Sequence, residues 1–361
     1  MTLPPHLKKI IHFVWVGLAL VLILQISGSL EGRDFISDRE ISAGPDKIKG
    51  IHYFGRRGNS LEGLVALRGS NIKEVVLVPY AYQERHDDPL LHTSGRRRNN
   101  RSSRDSSYLA FAEEARALNL TCIVKPHIWM KTDQGTWRSD IHFSNQADWS
   151  VWSEAYTAYI LHYAELSERM GADAFCIGTE LSKLTLHHPE YWSKLIREVR
   201  AIYRGQVFYA ANWFEEFEHI TFWGELDFIG IQAYFPLSKQ EEPSISDLCK
   251  AWKPLAQRLG KFSRTHGKPI LFTELGYKST GDAAIEPWRW LSKEDEAVAS
   301  SPQTQANCYE AFFRSVWDEP WFAGVMLWQW QGTHRAVNRM ERDFTPQSKP
   351  AEQIMSNWFA K

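Results

Sequence analysis

The sequence predicts an α/β protein, a (β/α)8 TIM barrel preceded by an N-terminal hydrophobic segment, and three observations lead there. Past Pro45, short β-branched runs alternate with longer stretches of helical periodicity as far as the C-terminus. That is the pattern of a parallel sheet with crossover helices. Eight such runs occur, at Lys49–Phe54, Glu74–Pro79, Thr121–Pro126, Ala174–Gly178, Val207–Ala211, Phe228–Ala233, Ile270–Thr273 and Gly324–Trp328. Eight strand–helix repeats over roughly 300 residues suit a closed barrel with some long loops. The competing fold, a doubly wound open sheet, would carry a glycine-rich phosphate turn after its first strand. Gly55-Arg56-Arg57-Gly58 lacks the required spacing.

In chain order, the first element is the apolar run from Ile10 to Ile26, interrupted by His12, Gly17 and Gln25 and preceded by Lys8 and Lys9. Residues 1–30 therefore read as a signal peptide or an N-terminal membrane anchor. The run lies at the lower edge of a spanning helix and slightly above a signal-peptide core, and Ser27-Gly28-Ser29 would suit a signal peptidase. Either way the body is expected to be exported, held at the membrane if the segment stays and secreted if it is cleaved. A polar linker follows at 31–45, and the barrel domain occupies 46–361. Between the strands, helical patterns such as Asp148–Met170 and Glu190–Tyr203 supply the outer layer, with Gly205 read as the stop of the second.

Composition narrows the function. Of 361 residues, 42 are Lys or Arg and 43 Asp or Glu, giving a formal net charge of −1. Such a balance creates no field for nucleic acid. The four cysteines are too few for a disulfide framework; Cys122 and Cys176 fall in strands, Cys249 and Cys308 in helical stretches, and all read as free thiols. No Cys/His spacing resembles a metal site, and no cofactor is implied. The stretch Gly95–Arg104 carries five arginines after the second strand, either a solvated loop or a grip on an acidic or extended ligand. The 16 tryptophans are an excess. Indoles serve equally as core packing and as flat platforms for sugar rings.

In a barrel, polar residues at the C-terminal strand ends converge on one mouth. Glu180 ends the fourth strand in FCIGTEL and Glu274 the seventh in PILFTELGY. A carboxylate directly after an apolar strand is costly to bury unless it is hydrogen-bonded or functional. Two converging carboxylates fit either a structural ion-pair network or glycoside hydrolysis, in which one protonates the leaving oxygen and the other attacks the anomeric carbon. Around them, alternation places Lys125, His127 and Trp129 on one face of the third strand. Asn212 and Trp213 follow the fifth strand, Gln232 and Tyr234 the sixth, and Trp328 and Trp330 the eighth. Each has a packing explanation, but the set together describes a sugar site. Trp149, Trp152, Trp192 and Trp317 sit in helical patterns and read as packing.

Several segments carry a resemblance to a known family: KPHIW with a following TWR, DWSVWSEAYTAYILHYAEL, FCIGTEL, YAANW, FWGELDFIGIQAYFPL, PILFTELGYKS, AGVMLWQWQ and DFTPQSKPAE. In that order they resemble glycoside hydrolase family 113, endo-β-1,4-mannanases of a clan of retaining (β/α)8 hydrolases. The resemblance implies Glu180 as general acid/base, Glu274 as nucleophile, Tyr234 as support for the nucleophile and Trp328 as the platform under the cleaved sugar. Thr179 stands where most of the clan has asparagine, so the contact to the sugar 2-hydroxyl is assigned to Asn212. Lys125, His127, Trp129, Trp213 and Trp330 are expected sugar contacts, and a polysaccharide or oligosaccharide is the expected partner. Alternatives are another β-glycanase or exo-β-glycosidase on the same scaffold, or a membrane-tethered carbohydrate-binding protein without turnover.

Overall fold

A computed structural model of the protein describes residues 46–55, 61–93, 101–130, 135–292, 295, 297–332 and 341–361. The N-terminal segment 1–30, the linker 31–45 and most of the arginine-rich stretch (94–100) lie outside the described residues. Among the described residues no helix is long and apolar enough to cross a membrane.

Eight parallel strands close into a barrel: β1 (Ile48–Phe54), β2 (Glu74–Leu77), β4 (Thr121–Val124), β6 (Ala174–Thr179), β7 (Gln206–Asn212), β8 (Phe228–Gln232), β9 (Ile270–Leu275) and β10 (Phe322–Gln331). These are the eight expected strands, and β10 pairs with β1 to complete the ring. Two more strands, β3 (Tyr80–Gln83) and β5 (His127–Met130), form a small parallel sheet of their own. The sequence pattern places His127 and Trp129 on the third barrel strand, whereas the structure puts them in this separate sheet. Proline explains the separation, because Pro79 and Pro126 have no N–H to give to a ladder. Continuity survives through Lys125 N–H to Leu77 O and His127 N–H to Pro79 O, each 2.9 Å. The small sheet therefore prolongs the β2–β4 pair beyond the barrel rim.

Inside the barrel, alternate residues meet in one apolar cluster that includes Val76, Ile123, Cys176, Phe208, Phe228, Leu271 and Met326. The intervening residues face outward into a larger core shared with the helices. In chain order the helices are α1 (Leu61–Gly69), α2 (Arg101–Ala117), α3 (Gln146–Met170), α4 (Ser182–His187), α5 (Pro189–Ile202), α6 (Ile245–His266), α7 (Pro302–Val316) and α8 (Pro350–Phe359), the longest being α3 and α6. Asn145 caps α3 through Asp148 N–H, and Gly171 ends it with φ 62°, a left-handed conformation glycine adopts without a Cβ clash. The expected glycine stop of α5 is not used: the helix ends at Ile202, capped by Tyr203 in extended backbone. Trp152 and Trp192 are fully buried and Trp317 nearly so, while Trp149 stacks on His188 with centroids 3.6 Å apart. The helical tryptophans are thus packing residues. All four cysteines are free; Cys122, Cys176 and Cys308 are buried and Cys249 is half-buried.

Candidate active site

Three barrel strands carry one extra residue near their C-terminal ends. On β6, Cys176 to Thr179 spans the same rungs as Phe208 to Ala210 on β7. On β9, Phe272 to Glu274 matches Ile231 to Gln232 on β8. On β10, Leu327 to Trp330 matches Ile51 to Tyr53 on β1. An extra residue inverts the in–out alternation beyond it. With Leu271 inside the barrel, strict alternation would send Glu274 outward, and the shift turns it into the mouth.

Glu274, 6% exposed, is held from several strands. Lys125 Nζ bonds its Oε1, and Tyr234 Oη donates to Oε2 at 2.9 Å. Lys125 also donates to Gln232 Oε1 at 3.0 Å and approaches His52 Nε2 at 3.4 Å. Burial by itself raises the Glu274 pKa, but the Lys125 ammonium, His52 and hydrogen bonds from Lys125 and Gln232 outweigh it and hold the carboxyl at about 2. Burial first, and then Lys125, push His52 down to about 3. The ring is therefore neutral at pH 7, and Lys125 is the charge that keeps Glu274 ionised there. His52 Nδ1 lies 3.0 Å from Leu327 O, so Nδ1 carries the proton and Nε2 accepts from Lys125.

Glu180 follows β6 directly with φ 53°, a left-handed backbone uncommon for a residue with a side chain. Its Oε2 accepts from Trp137 Nε1 at 2.9 Å and faces Arg138 Nε at 3.3 Å. Arg138 begins a short 3-10 turn, Arg138–Asp140, and its guanidinium lies 4.2 Å from the Trp137 ring centroid. Arg138 Nη1 is also 3.0 Å from His127 Nδ1. Burial, then Lys125 and Arg138, hold His127 well below the usual histidine range. With Arg138 donating to Nδ1, the single ring proton sits on Nε2. That atom is 3.6 Å from Glu274 Oε1 and has no hydrogen-bond partner among the described residues. A buried donor in this state is ready for a ligand oxygen.

Both glutamates line a cavity of about 950 Å³ at the barrel mouth, together with Tyr234, His127, Trp129, Asn212, Trp213 and Trp328. Trp288 stacks on Trp213 (centroids 5.4 Å, 29°), and Trp290 meets Trp328 edge-on at 6.3 Å. Trp129, Trp137, Trp288 and Trp290 are 47%, 39%, 42% and 54% exposed. Large aromatic faces left open around one cavity mark a ligand surface. Asn212 donates through Nδ2 to Ser182 Oγ at 3.0 Å.

Two expected sugar contacts are corrected. Lys125 is fully buried and spends its donors on Glu274 and Gln232, so it touches the carboxylate and not the cavity. Trp330 is 2% exposed and packs in the outer core, because the extra residue on β10 turns it away from the side of Trp328. His52, Trp288 and Trp290 were not singled out from the sequence, and Trp137 and Arg138 stood only within the TWR segment, with no role assigned. A histidine inside an apolar strand, and the Trp288-Arg289-Trp290 alternation after the seventh strand, were the available signals. Of the arginine-rich stretch, the side chain described is that of Arg104, in the first turn of α2, which donates back to Thr93 O at 3.1 Å. Among the described residues, no group of His, Cys, Asp and Glu could hold a metal ion.

The profile of Glycoside Hydrolase Family 113 matches residues 53–360. Among solved structures, the family 113 β-mannanase of Alicyclobacillus acidocaldarius has a TM-score of 0.76 at 27% identity, with 88% of this chain and 99% of that chain covered. A further family 113 β-1,4-mannanase structure has a TM-score of 0.74 at 25% identity over the same shares. The β-glucuronidase of Ruminococcus gnavus shares the fold, with a TM-score of 0.59 at 13% identity over 87% of this chain and 50% of that one. No curated protein sequence matches the chain. The profile runs from the first barrel strand to the last helix, through both glutamates, and the chain belongs to glycoside hydrolase family 113.

Proposed function

We propose that this glycoside hydrolase cleaves β-1,4-linked mannan with retention of configuration, by double displacement, and that it acts outside the cytoplasm. The observation that carries the mechanism is the unequal treatment of two carboxylates lining one cavity. Glu274 is held ionised by Lys125 and oriented by Tyr234, which suits a nucleophile. Glu180 has one oxygen engaged by Trp137 and Arg138, which leaves the other to carry a proton to the substrate.

In the first step Glu274 attacks the anomeric carbon, the bond from that carbon to the leaving sugar oxygen breaks, and Glu180 gives that oxygen its proton. A glycosyl ester of Glu274 forms. In the second, Glu180 takes a proton from water, the oxygen of that water attacks the same carbon, and the ester bond breaks to restore Glu274. His127 Nε2–H and the Asn212 amide would meet sugar hydroxyls, and Trp328, Trp213 and Trp129 would face the sugar rings. The mannan assignment is supported by family membership and by the mannanase neighbours; export is supported by Lys8, Lys9 and the apolar run 10–26.

The test is hydrolysis of β-1,4-mannan, glucomannan, glucan and xylan, with the first-formed anomer followed by NMR. Mannan and glucomannan should be cut, giving the β-anomer first. Failure on every mannan would discard the substrate, and an α-anomer appearing first would discard double displacement.

A further inference from the structure

Behind the acid/base position lies a buried carboxylate that the two-step reaction does not use. Glu216 follows β7 and is fully buried. Its Oε1 accepts from Tyr209 Oη at 2.7 Å and from Thr185 Oγ1 at 2.9 Å; its Oε2 accepts from Asn212 N–H at 2.7 Å. Burial pushes its carboxyl up to about 7, against the hydrogen bonds that pull it down. An acidic group buried with no cation beside it among the described residues needs a reason beyond packing.

The direction of the hydrogen bonds supplies one. Leu181 N–H donates to Tyr209 Oη at 2.6 Å, so the tyrosine hydroxyl accepts there and its own proton goes to Glu216. Glu180 N–H, one residue earlier, donates to Ala210 O at 2.9 Å. The two peptide N–H groups flanking the left-handed Glu180 backbone are therefore both fixed from β7, one by a carbonyl and one by the Tyr209–Glu216 pair. Gly178 makes room for this, since a Cβ there would lie 2.8 Å from Tyr209 Cε2 and 2.9 Å from Tyr156 Oη. The same carboxylate fixes the peptide of Asn212, which lines the cavity.

We propose that Glu216 is a positioning residue for the reaction: through Tyr209 it sets the backbone that aims Glu180, and through the Asn212 peptide it ties that aim to the sugar-facing end of β7. The inference rests on the reading of Glu180 as acid/base. A misaimed general acid loses its effect on leaving groups that need a proton and keeps activity on those that do not.

The measurement is kcat/KM, which reports the step that forms the glycosyl–enzyme, for mannan and for a 2,4-dinitrophenyl β-mannobioside. The variants are Tyr209→Phe, Glu216→Gln, Glu180→Ala and, as a packing control, Phe222→Leu, whose buried ring meets that of Tyr209 edge-on at 6.0 Å. Tyr209→Phe removes one hydroxyl and keeps the ring, so the fold is preserved even if Glu216→Gln destabilises it. Tyr209→Phe should lose about 10-fold or more on mannan and little on the activated substrate. Glu216→Gln should follow it, Glu180→Ala should show the same split more strongly, and Phe222→Leu should leave the ratio unchanged. Equal loss on both substrates in Tyr209→Phe, or no loss on either, overturns the proposal. So does a ratio that moves as far in Phe222→Leu, since the effect then belongs to packing around the Tyr209 ring. If Glu180→Ala itself shows no split, the acid/base reading falls and this inference with it; a split in Glu180→Ala alone overturns only the role of Glu216.

Discussion

Tyr234 Oη donates to one oxygen of Glu274 at 2.9 Å while Lys125 bonds the other, so the two oxygens of a single carboxylate are held from opposite parts of the barrel ring. The tyrosine comes from just past β8, the neighbour of β9, and the lysine from just past β4, across the mouth. Tyr234→Phe removes one aligned donor and leaves the charge pair intact. It should lower kcat by about 10²-fold with the melting temperature nearly unchanged. Steady-state kinetics beside a thermal melt check this, and an unaltered kcat would show that the hydroxyl does not orient the attacking group.

Lys125 should govern the acidic limb of activity. Glu274 has a folded-state pKa of about 2, against an ordinary value of 4.5, and must be ionised to serve as the proposed nucleophile. In the wild-type protein it stays ionised well below pH 4. Lys125→Met removes the cation but leaves the burial, and the acidic limb of kcat/KM should rise by about 1–3 pH units. The linkage to stability has the sign of a depressed carboxyl: its contribution is complete above about 4.5 and is lost as pH falls towards 2. Urea titrations across that window should show the wild type losing stability with acid more steeply than Lys125→Met.

The aromatic rim should act on binding more than on chemistry. Trp288 stacks on Trp213 and is 42% exposed at the cavity. Trp288→Ala should cost about 1 kcal/mol, roughly 5-fold in KM for long oligosaccharides, with kcat little changed. A fall in kcat with constant KM would place its effect in the transition state instead.

Trp192 tests the distinction between indoles that pack and indoles that face the cleft. It is fully buried, and its Nε1 donates to Leu184 O at 3.2 Å in α4. Trp192→Ala opens a large cavity and removes one of the two donors to that carbonyl, which keeps the His188 N–H at 3.0 Å, and should cost about 3–5 kcal/mol in a urea melt. Trp290→Ala, at a position 54% exposed, should cost far less.

The barrel was legible because eight runs of strand residues alternate with helices, and the two glutamates because each stands directly after an apolar strand. What failed were inferences that needed the in–out alternation to continue to the strand ends. Trp330 was expected beside Trp328, and one extra residue on β10 put it in the core. Lys125 was placed at the mouth, as found, but a charge beside a carboxylate is consumed by it before any sugar arrives. Trp137 and Arg138 could not be tied to Glu180 from spacing, because they reach it from a different βα loop, 43 residues away in the case of Trp137. Such pairings are set by tertiary approach, which local periodicity does not encode.

The small β3–β5 sheet has a consequence for altering what the enzyme accepts. Its register sets Tyr80 beside His127 and Tyr82 beside Trp129, so part of the groove wall is a hydrogen-bonded ribbon and not a pair of independent loops. Libraries that randomise the second and third βα segments separately would break that ribbon before they sampled new specificities. Segments 80–83 and 127–130 form one exchangeable cassette, and a graft from a relative with a different sugar preference should move both together.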